Sequence, residues 1–240
     1  MRKSRALLCI VLVTALISLA QDTGKLVRLA DRSDWWSVLN ENFYWPIDKP
    51  KGEELNPETF EIAGVTLQHN DAPFREVEAR FGHAVIAARG SSSGVRQQVC
   101  YSSQSKPTVN IIFEAGESNQ SFYLLSSSQP WNGDALCAES SQVTPALRTR
   151  SGLGLGMSPA EVERILGKPD ASTPNRLVYQ RQMDSRTPPE KLAVLRSEHA
   201  DMSDADFHEN YDSYEMELYV EARFTDGKLT YLAVSKGENF

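Results

Sequence analysis

The chain has 240 residues and carries 32 Asp and Glu against 25 Lys and Arg, for a formal charge of −7. That balance argues against nucleic acid and against an anionic membrane surface as partners, because both repel a net-negative protein. The length admits one two-part domain or two small ones.

At the N-terminus, Met1-Arg2-Lys3-Ser4-Arg5 is a short basic segment, residues 6–17 are an apolar run, and Ser18-Leu19-Ala20 supplies small residues for cleavage. The run is shorter than the roughly 20 residues a membrane-spanning helix needs. The pattern predicts a cleavable export signal over residues 1–20, cut near Ala20, and therefore a periplasmic or secreted protein. Cys9 lies inside the apolar run and no Cys follows the small residues, so no lipid anchor is expected. Cleavage removes Arg2, Lys3 and Arg5 and takes the formal charge from −7 to −10.

Residues 21–60 form an aromatic-rich extension with Trp35, Trp36, Phe43, Tyr44 and Trp45 between polar stretches. Such a cluster serves either as a protein-binding patch or as an extension folded over the open face of a sheet. Packing is the favoured use, since a small fold needs its large apolar groups.

A short helix is predicted next. Asp71 and Pro73 begin it, Phe74, Val77 and Phe81 make its apolar stripe, and Gly82 ends it. Gly90-Ser91-Ser92-Ser93-Gly94 matches the G-x-S-x-G elbow of serine hydrolases, but residues 95–99 alternate like a strand where a helix is required. A hairpin turn is the better reading. Strands follow over 95–101, 109–113 and 122–125, the last two joined by a polar connection. Cys100 and Cys137 are the two cysteines left after cleavage, and in an exported chain the pair is expected to form a disulfide.

Gly152, Gly154 and Gly156 give an incomplete dinucleotide fingerprint with no strand before it, so their expected job is a tight turn. Ser158-Pro159-Ala160-Glu161 is a capping box with Pro in the first helical position. Val162, Ile165 and Leu166 form the stripe, and Gly167 before Lys168-Pro169 stops the helix. A strand over 176–181 precedes an acidic insertion at 184–212, with a helix expected over 189–199. His199 and His208 sit there among Glu198, Asp201, Asp204, Asp206, Glu209 and Asp212, without the spacing of a zinc helix or a calcium loop. A solvated acidic face is the expected reading.

Tyr214, Met216, Leu218, Val220, Ala222 and Phe224 then alternate with Glu215, Glu217, Tyr219, Glu221, Arg223 and Thr225. That is an antiparallel strand with one face buried and one wet. Asp226-Gly227 turns it into a returning strand over 229–234.

The two halves share these features in the same order. Glu76-Val77-Glu78 aligns with Glu161-Val162-Glu163, and VNIIFEAGE at 109–117 lies over VEARFTDGK at 220–228 without a gap. The alignment predicts a duplicated unit of helix, strand, strand, strand: a first copy over 61–143 and a second over 144–240. The fold class expected is α+β, each copy a short capped helix packed on a three- to four-stranded antiparallel sheet.

Gly156, Met157, Ser158, Glu161, Val162, Leu166, Gly167 and Pro169, with Leu177-Val178-Tyr179 and VEARFTDGKL downstream, form a pattern that resembles the SmpA/OmlA (BamE-like) family of outer-membrane assembly proteins. It is also similar to the secreted β-lactamase-inhibitory proteins, which carry this unit in tandem. The resemblance covers about residues 144–237 and reaches the first half only through the internal repeat. It implies helices on one face of an antiparallel sheet and partners held by protein contact without catalysis. Its residues start, pack and stop a helix, so they bring no binding role with them. The assembly family is lipid-anchored and usually has one unit, whereas this chain is expected to have no lipid anchor and two units.

The function expected is a non-catalytic, exported protein-binding module. Its expected partner is another envelope or secreted protein, with no cofactor and no metal. Outward candidates for contact are Glu215, Glu217, Tyr219, Glu221 and Arg223, with Trp35, Trp36 and Trp45. One rival is an inhibitor of a secreted hydrolase, plugging an active site with the acidic insertion. Another is an enzyme of unknown class, although no nucleophile, base and orienting group can be assembled from the spacing.

Overall fold

The computed structural model describes residues 27–28, 54–67, 74–91, 94–116, 118–126 and 137–239. The expected export signal, Trp35, Trp36, Trp45 and the start of the first helix at Asp71 and Pro73 lie outside the described residues.

The described chain is a mixed helix-and-sheet fold of the α+β class. Its elements run β1 (Val27–Arg28), a 3-10 turn (Pro57–Phe60), β2 (Glu61–Ile62), β3 (Val65–Thr66), α1 (Arg75–Phe81), β4 (Ala87–Ser91), β5 (Gly94–Ser103), β6 (Val109–Ala115), β7 (Asn119–Ser126) and β8 (Cys137–Ser140). They continue with α2 (Pro159–Leu166), β9 (Ala171–Thr173), β10 (Arg176–Arg186), α3 (Pro189–Glu198), α4 (Asp204–Tyr211), β11 (Ser213–Thr225) and β12 (Lys228–Asn239).

One ten-stranded sheet dominates, in the order β1-β4-β5-β6-β7-β12-β11-β10-β9, with β8 added alongside β5. The order mirrors itself about the β7–β12 junction, where Phe122 stands opposite Val234 and Leu124 opposite Leu232. The Gly90–Gly94 stretch is a hairpin, with Ser91 paired to Gly94 across β4 and β5. At the other expected hairpin, Asp226 and Gly227 both take positive φ, as a two-residue turn between twisted strands requires.

Helices α1 and α2 lie on the first face of the sheet. Val77 and Phe81 of α1 and Val162 of α2 are buried with Val99, Tyr101, Phe113, Phe122, Leu177, Tyr179, Val220 and Leu232 in one core. Ser158 and Glu161 close the capping box as read: the Ser158 hydroxyl accepts from the Glu161 amide at 3.4 Å, and Glu161 accepts from the Ser158 amide at 2.7 Å. Phe81 also stacks on Tyr101, with ring centroids 5.3 Å apart.

Both helices stop in the same way. Gly82 has φ 96° and ψ 174°, and Gly167 has φ 81° and ψ −161°, a backbone region open essentially to Gly alone. Tyr101 of β5 donates its hydroxyl to the Gly82 carbonyl at 2.8 Å, and Tyr179 of β10 donates to the Gly167 carbonyl at 3.1 Å. A Cβ at Gly167 would meet no atom within 4 Å, so replacement strains only the backbone. Gly167→Ala is expected to lower unfolding free energy by about 1–3 kcal/mol in urea titration, and Gly82→Ala by a like amount.

The structure adds three features. Residues 54–60, the end of the extension, pack into the core: Leu55 and Phe60 are buried there, and the Ser151 amide donates to the Glu58 carbonyl. The hairpin β2–β3 that follows turns through Ala63 and Gly64, both at positive φ, and its Glu61 carbonyl accepts from the Arg150 amide. Segments on either side of the expected boundary at 143/144 thus pair with each other. In the insertion, α3 lies where a helix was expected, but α4 was missed. Ser203 caps α4 by accepting from the Asp206 amide, and Phe207 buries it against Arg196 and Tyr211.

Candidate functional site

The second face of the sheet carries the chemistry. It is built by alternation: every residue one position out of step with the core points to it. On β11 these are Glu215, Glu217, Tyr219, Glu221 and Arg223, which share one face as expected.

The expectation that this face is wet is overturned along most of its length. Glu221 is fully buried, Tyr219 is buried, Arg223 is only 21% exposed, and only Glu215 and Glu217 are half-open. Strands β6 and β7 explain this, since Val109–Ala115 is buried at every position and Asn119–Ser126 at all but its ends. A continuous apolar run such as Ile111-Ile112-Phe113 marks a strand covered on both sides, and that signal was present in the sequence.

Charge sits in the closed part. Oε1 of Glu221 accepts from Nε of Arg223 at 2.7 Å and has Nε of Arg176 at 2.5 Å, while Oε2 accepts from the Tyr219 hydroxyl at 3.1 Å. The Arg223 guanidinium lies 4.3 Å from the centroid of the Tyr231 ring. Tyr231 in turn meets Tyr123 with centroids 6.4 Å apart, across the β7–β12 junction. Beyond it, buried Glu114 accepts from the Tyr123 hydroxyl at 3.2 Å and from the Gln98 amide, with Arg96 3.6 Å away. Sequence reasoning missed Glu114, Gln98, Arg176 and Tyr231 as members of this face.

Burial raises the pKa of Glu114 above the ordinary glutamate range, against the opposing pull of Arg96, Gln98 and Tyr123. Folding therefore favours its protonated form. Its contribution to stability is full below the pH where a free glutamate titrates, about 4.3, and is lost as pH climbs through the elevated folded value. Glu114→Gln is expected to flatten this part of the stability profile between pH 4.5 and neutrality, read by urea midpoints across that window. An unchanged slope would exclude Glu114 as its source.

The remaining expected groups are placed elsewhere. His199 stacks on Tyr211 and pairs with its hydroxyl at 3.0 Å, and His208 pairs with Asp212 at 2.8 Å. Among the described residues no group of three or more His, Cys, Asp or Glu is arranged to hold a metal ion. Cys100 and Cys137 are bonded, with Cα atoms 4.4 Å apart on paired strands β5 and β8. A cleft of about 710 Å³ lies on the other side, between residues 54–56 and the end of α2. Its Asp170 is engaged by Arg181 and by the Gln180 amide.

Set against family models, curated proteins and solved structures, the chain matches none of them.

Proposed function

We propose that this chain is a non-catalytic exported protein that binds another envelope or secreted protein, built from two tandem copies of one BamE-like, β-lactamase-inhibitor-like unit. Three features support the duplication. Strands β4–β7 follow α1 and β9–β12 follow α2, the latter with α3 and α4 inserted, the sheet order mirrors about β7–β12, and both helix-stop glycines receive a Tyr hydroxyl. Export is supported by the basic, apolar and small residues at the N-terminus and by the disulfide.

The binding role rests on the open end of the second face. Asp184 and Glu215 stand directly opposite each other across β10 and β11, and Glu217 follows on the same face. Beside them Asn119, Gln180, Glu217, Tyr219, Ser235 and Gly237 line a cavity of about 50 Å³. Like charges directly opposed across strands destabilise a sheet. Burial, and then the charge of Glu215, raises the pKa of Glu217. A partner presenting Lys or Arg relieves both costs and is steered in by the acidic field.

Photo-crosslinking from Gln182 in an envelope extract identifies the partner, and titration with the purified partner measures it. Glu215→Lys with Glu217→Lys is expected to weaken the complex at least tenfold and to reduce its salt dependence. Unchanged affinity, or a partner that is chemically converted and released, would overturn the reading.

A further inference from the structure

We propose that two copies of this chain join edge to edge through the end of β10, antiparallel, with Asp184 of each copy opposite Arg186 of the other.

The first observation is an edge that the chain closes along only part of its length. Strand β10 pairs with β11 over the whole of Arg176–Arg186, but with β9 only at Arg176, Leu177 and Val178. Just beyond β9, the Gln180 amide donates to the Asp170 carboxylate, and the Gln180 carbonyl accepts from the Arg181 guanidinium. Alternation turns the N–H and C=O groups of Gln182, Asp184 and Arg186 to that same side. Among the described residues no hydrogen bond reaches them there.

Natural sheets blunt such edges with short strands, bulges, Pro or Lys. On the opposite side of this sheet β1 and β8 span only two and four residues. Strand β10 instead stays in unbroken register with β11 to its end, and Gln182, Asp184 and Arg186 are exposed. What guards this edge is charge of both signs, and among the described residues neither Asp184 nor Arg186 has an ion-pair partner.

Those charges name the occupant. An incoming strand needs a base opposite Asp184 and an acid opposite Arg186, and β10 itself, read in the reverse direction, carries both. A two-fold axis at Ser185 sets Asp184 against Arg186 of the second copy, and Arg186 against its Asp184. Each is a hydrogen-bonded pair that exchanges both backbone bonds.

The neighbouring registers are worse. Centring on Asp184 opposes two like charges, which destabilises a sheet. Centring on Met183 sets Arg186 against Gln180, whose backbone groups are already engaged. In the favoured register Met183 of the second copy, a half-buried side chain, stands opposite Thr187. Thr187 lines a cleft of about 480 Å³ with Pro189 and Leu192, which gives that apolar side chain a seat. The ladder ends one step on, because Pro188 has no N–H and its carbonyl accepts from the Leu192 amide. So short an interface makes a weak dimer that depends on concentration. It is separate from the partner proposed at the acidic end, since Glu217 lies across from Gln182, outside the paired residues.

Sedimentation of the full mature chain from micromolar to millimolar concentration reads the association, and cysteine placement reads the register. Ser185 meets Ser185 of the second copy at a non-hydrogen-bonded position, with Cα atoms about 4.5 Å apart. The two Gln182 residues stand roughly 20 Å apart. Ser185→Cys is therefore expected to oxidise to a covalent dimer at least tenfold faster than Gln182→Cys. Asp184→Lys and Arg186→Glu, each alone, are expected to weaken dimerisation at least tenfold. An equimolar mixture of the two variants is expected to recover it, because the introduced charges then face each other with opposite signs.

A chain that sediments as a monomer throughout would overturn the proposal. So would a dimer indifferent to both charge changes, or one in which Gln182→Cys couples as fast as Ser185→Cys, since either places the contact elsewhere. Both charges are exposed, so each variant is expected to keep the urea midpoint of the parent. If a charge variant unfolds, the cysteine comparison in the parent background decides. Failure to find a foreign partner at Glu217 leaves all of these readings unchanged, so the two proposals fail independently.

Discussion

Glu221→Gln is expected to cost about 3 kcal/mol of stability, at the lower end of the range for removing one partner of a buried ion pair. Its carboxylate is fully buried between Arg176 and Arg223, whose side chains are only 14% and 21% exposed. With Gln in place, the negative charge that both guanidinium groups share at this point is gone. Removing one of them should recover part of the loss, so Glu221→Gln with Arg223→Met is expected to be less destabilised than the sum of the single changes. Urea titration reads this directly, through a lower midpoint with an unchanged slope. Equal stability of Glu221→Gln and the parent would show that the charges are compensated by groups other than each other.

The second large effect is at the disulfide. Cys100 and Cys137 close a loop with a sequence separation of 37. Cross-linking a loop of that size stabilises by about 4 kcal/mol on the chain-entropy model, and removing a native bridge from a small secreted domain costs about 2–5 kcal/mol. Strand β8 spans only Cys137–Ser140, at the edge beside β5. Replacing both cysteines by Ser is expected to lower overall stability by an amount in that range and to expose β8 to hydrogen exchange before the rest of the sheet. A loss below about 1 kcal/mol would mean that β8 is held by packing and that the bridge adds little.

How much of this was legible follows from what each signal measures. Ser158, Pro159, Glu161 and Gly167 announced α2 from local chemistry alone, because caps and stops are set within one turn of the chain. The alternation in residues 214–225 gave the pairing of faces, because period two is a local property of a strand. It could not tell that the polar face would be covered, since cover is a tertiary event. Glu221 therefore read as solvated although it is buried. The clue lay on other strands, in the apolar runs Ile111-Ile112-Phe113 and Leu232-Ala233-Val234, which have no wet side. Helix α4 was missed because Asp204, Asp206, Glu209 and Asp212 read as a solvated stretch, while the Ser203 cap and the single anchor Phe207 decide its structure. The partners of residues 54–60, Ser151 and the core, could not be read locally because they are remote in sequence.

The account turns on the two halves sharing one continuous sheet through β7 and β12. Native-state hydrogen exchange of the amides at 122–125 and 231–234 tests this most directly. One sheet requires them to open only with the whole molecule, at the same free energy as the amides of β6 and β11. Exchange at the junction through a much cheaper opening, with β6 and β11 still protected, would mean that the halves are separate bodies resting against each other.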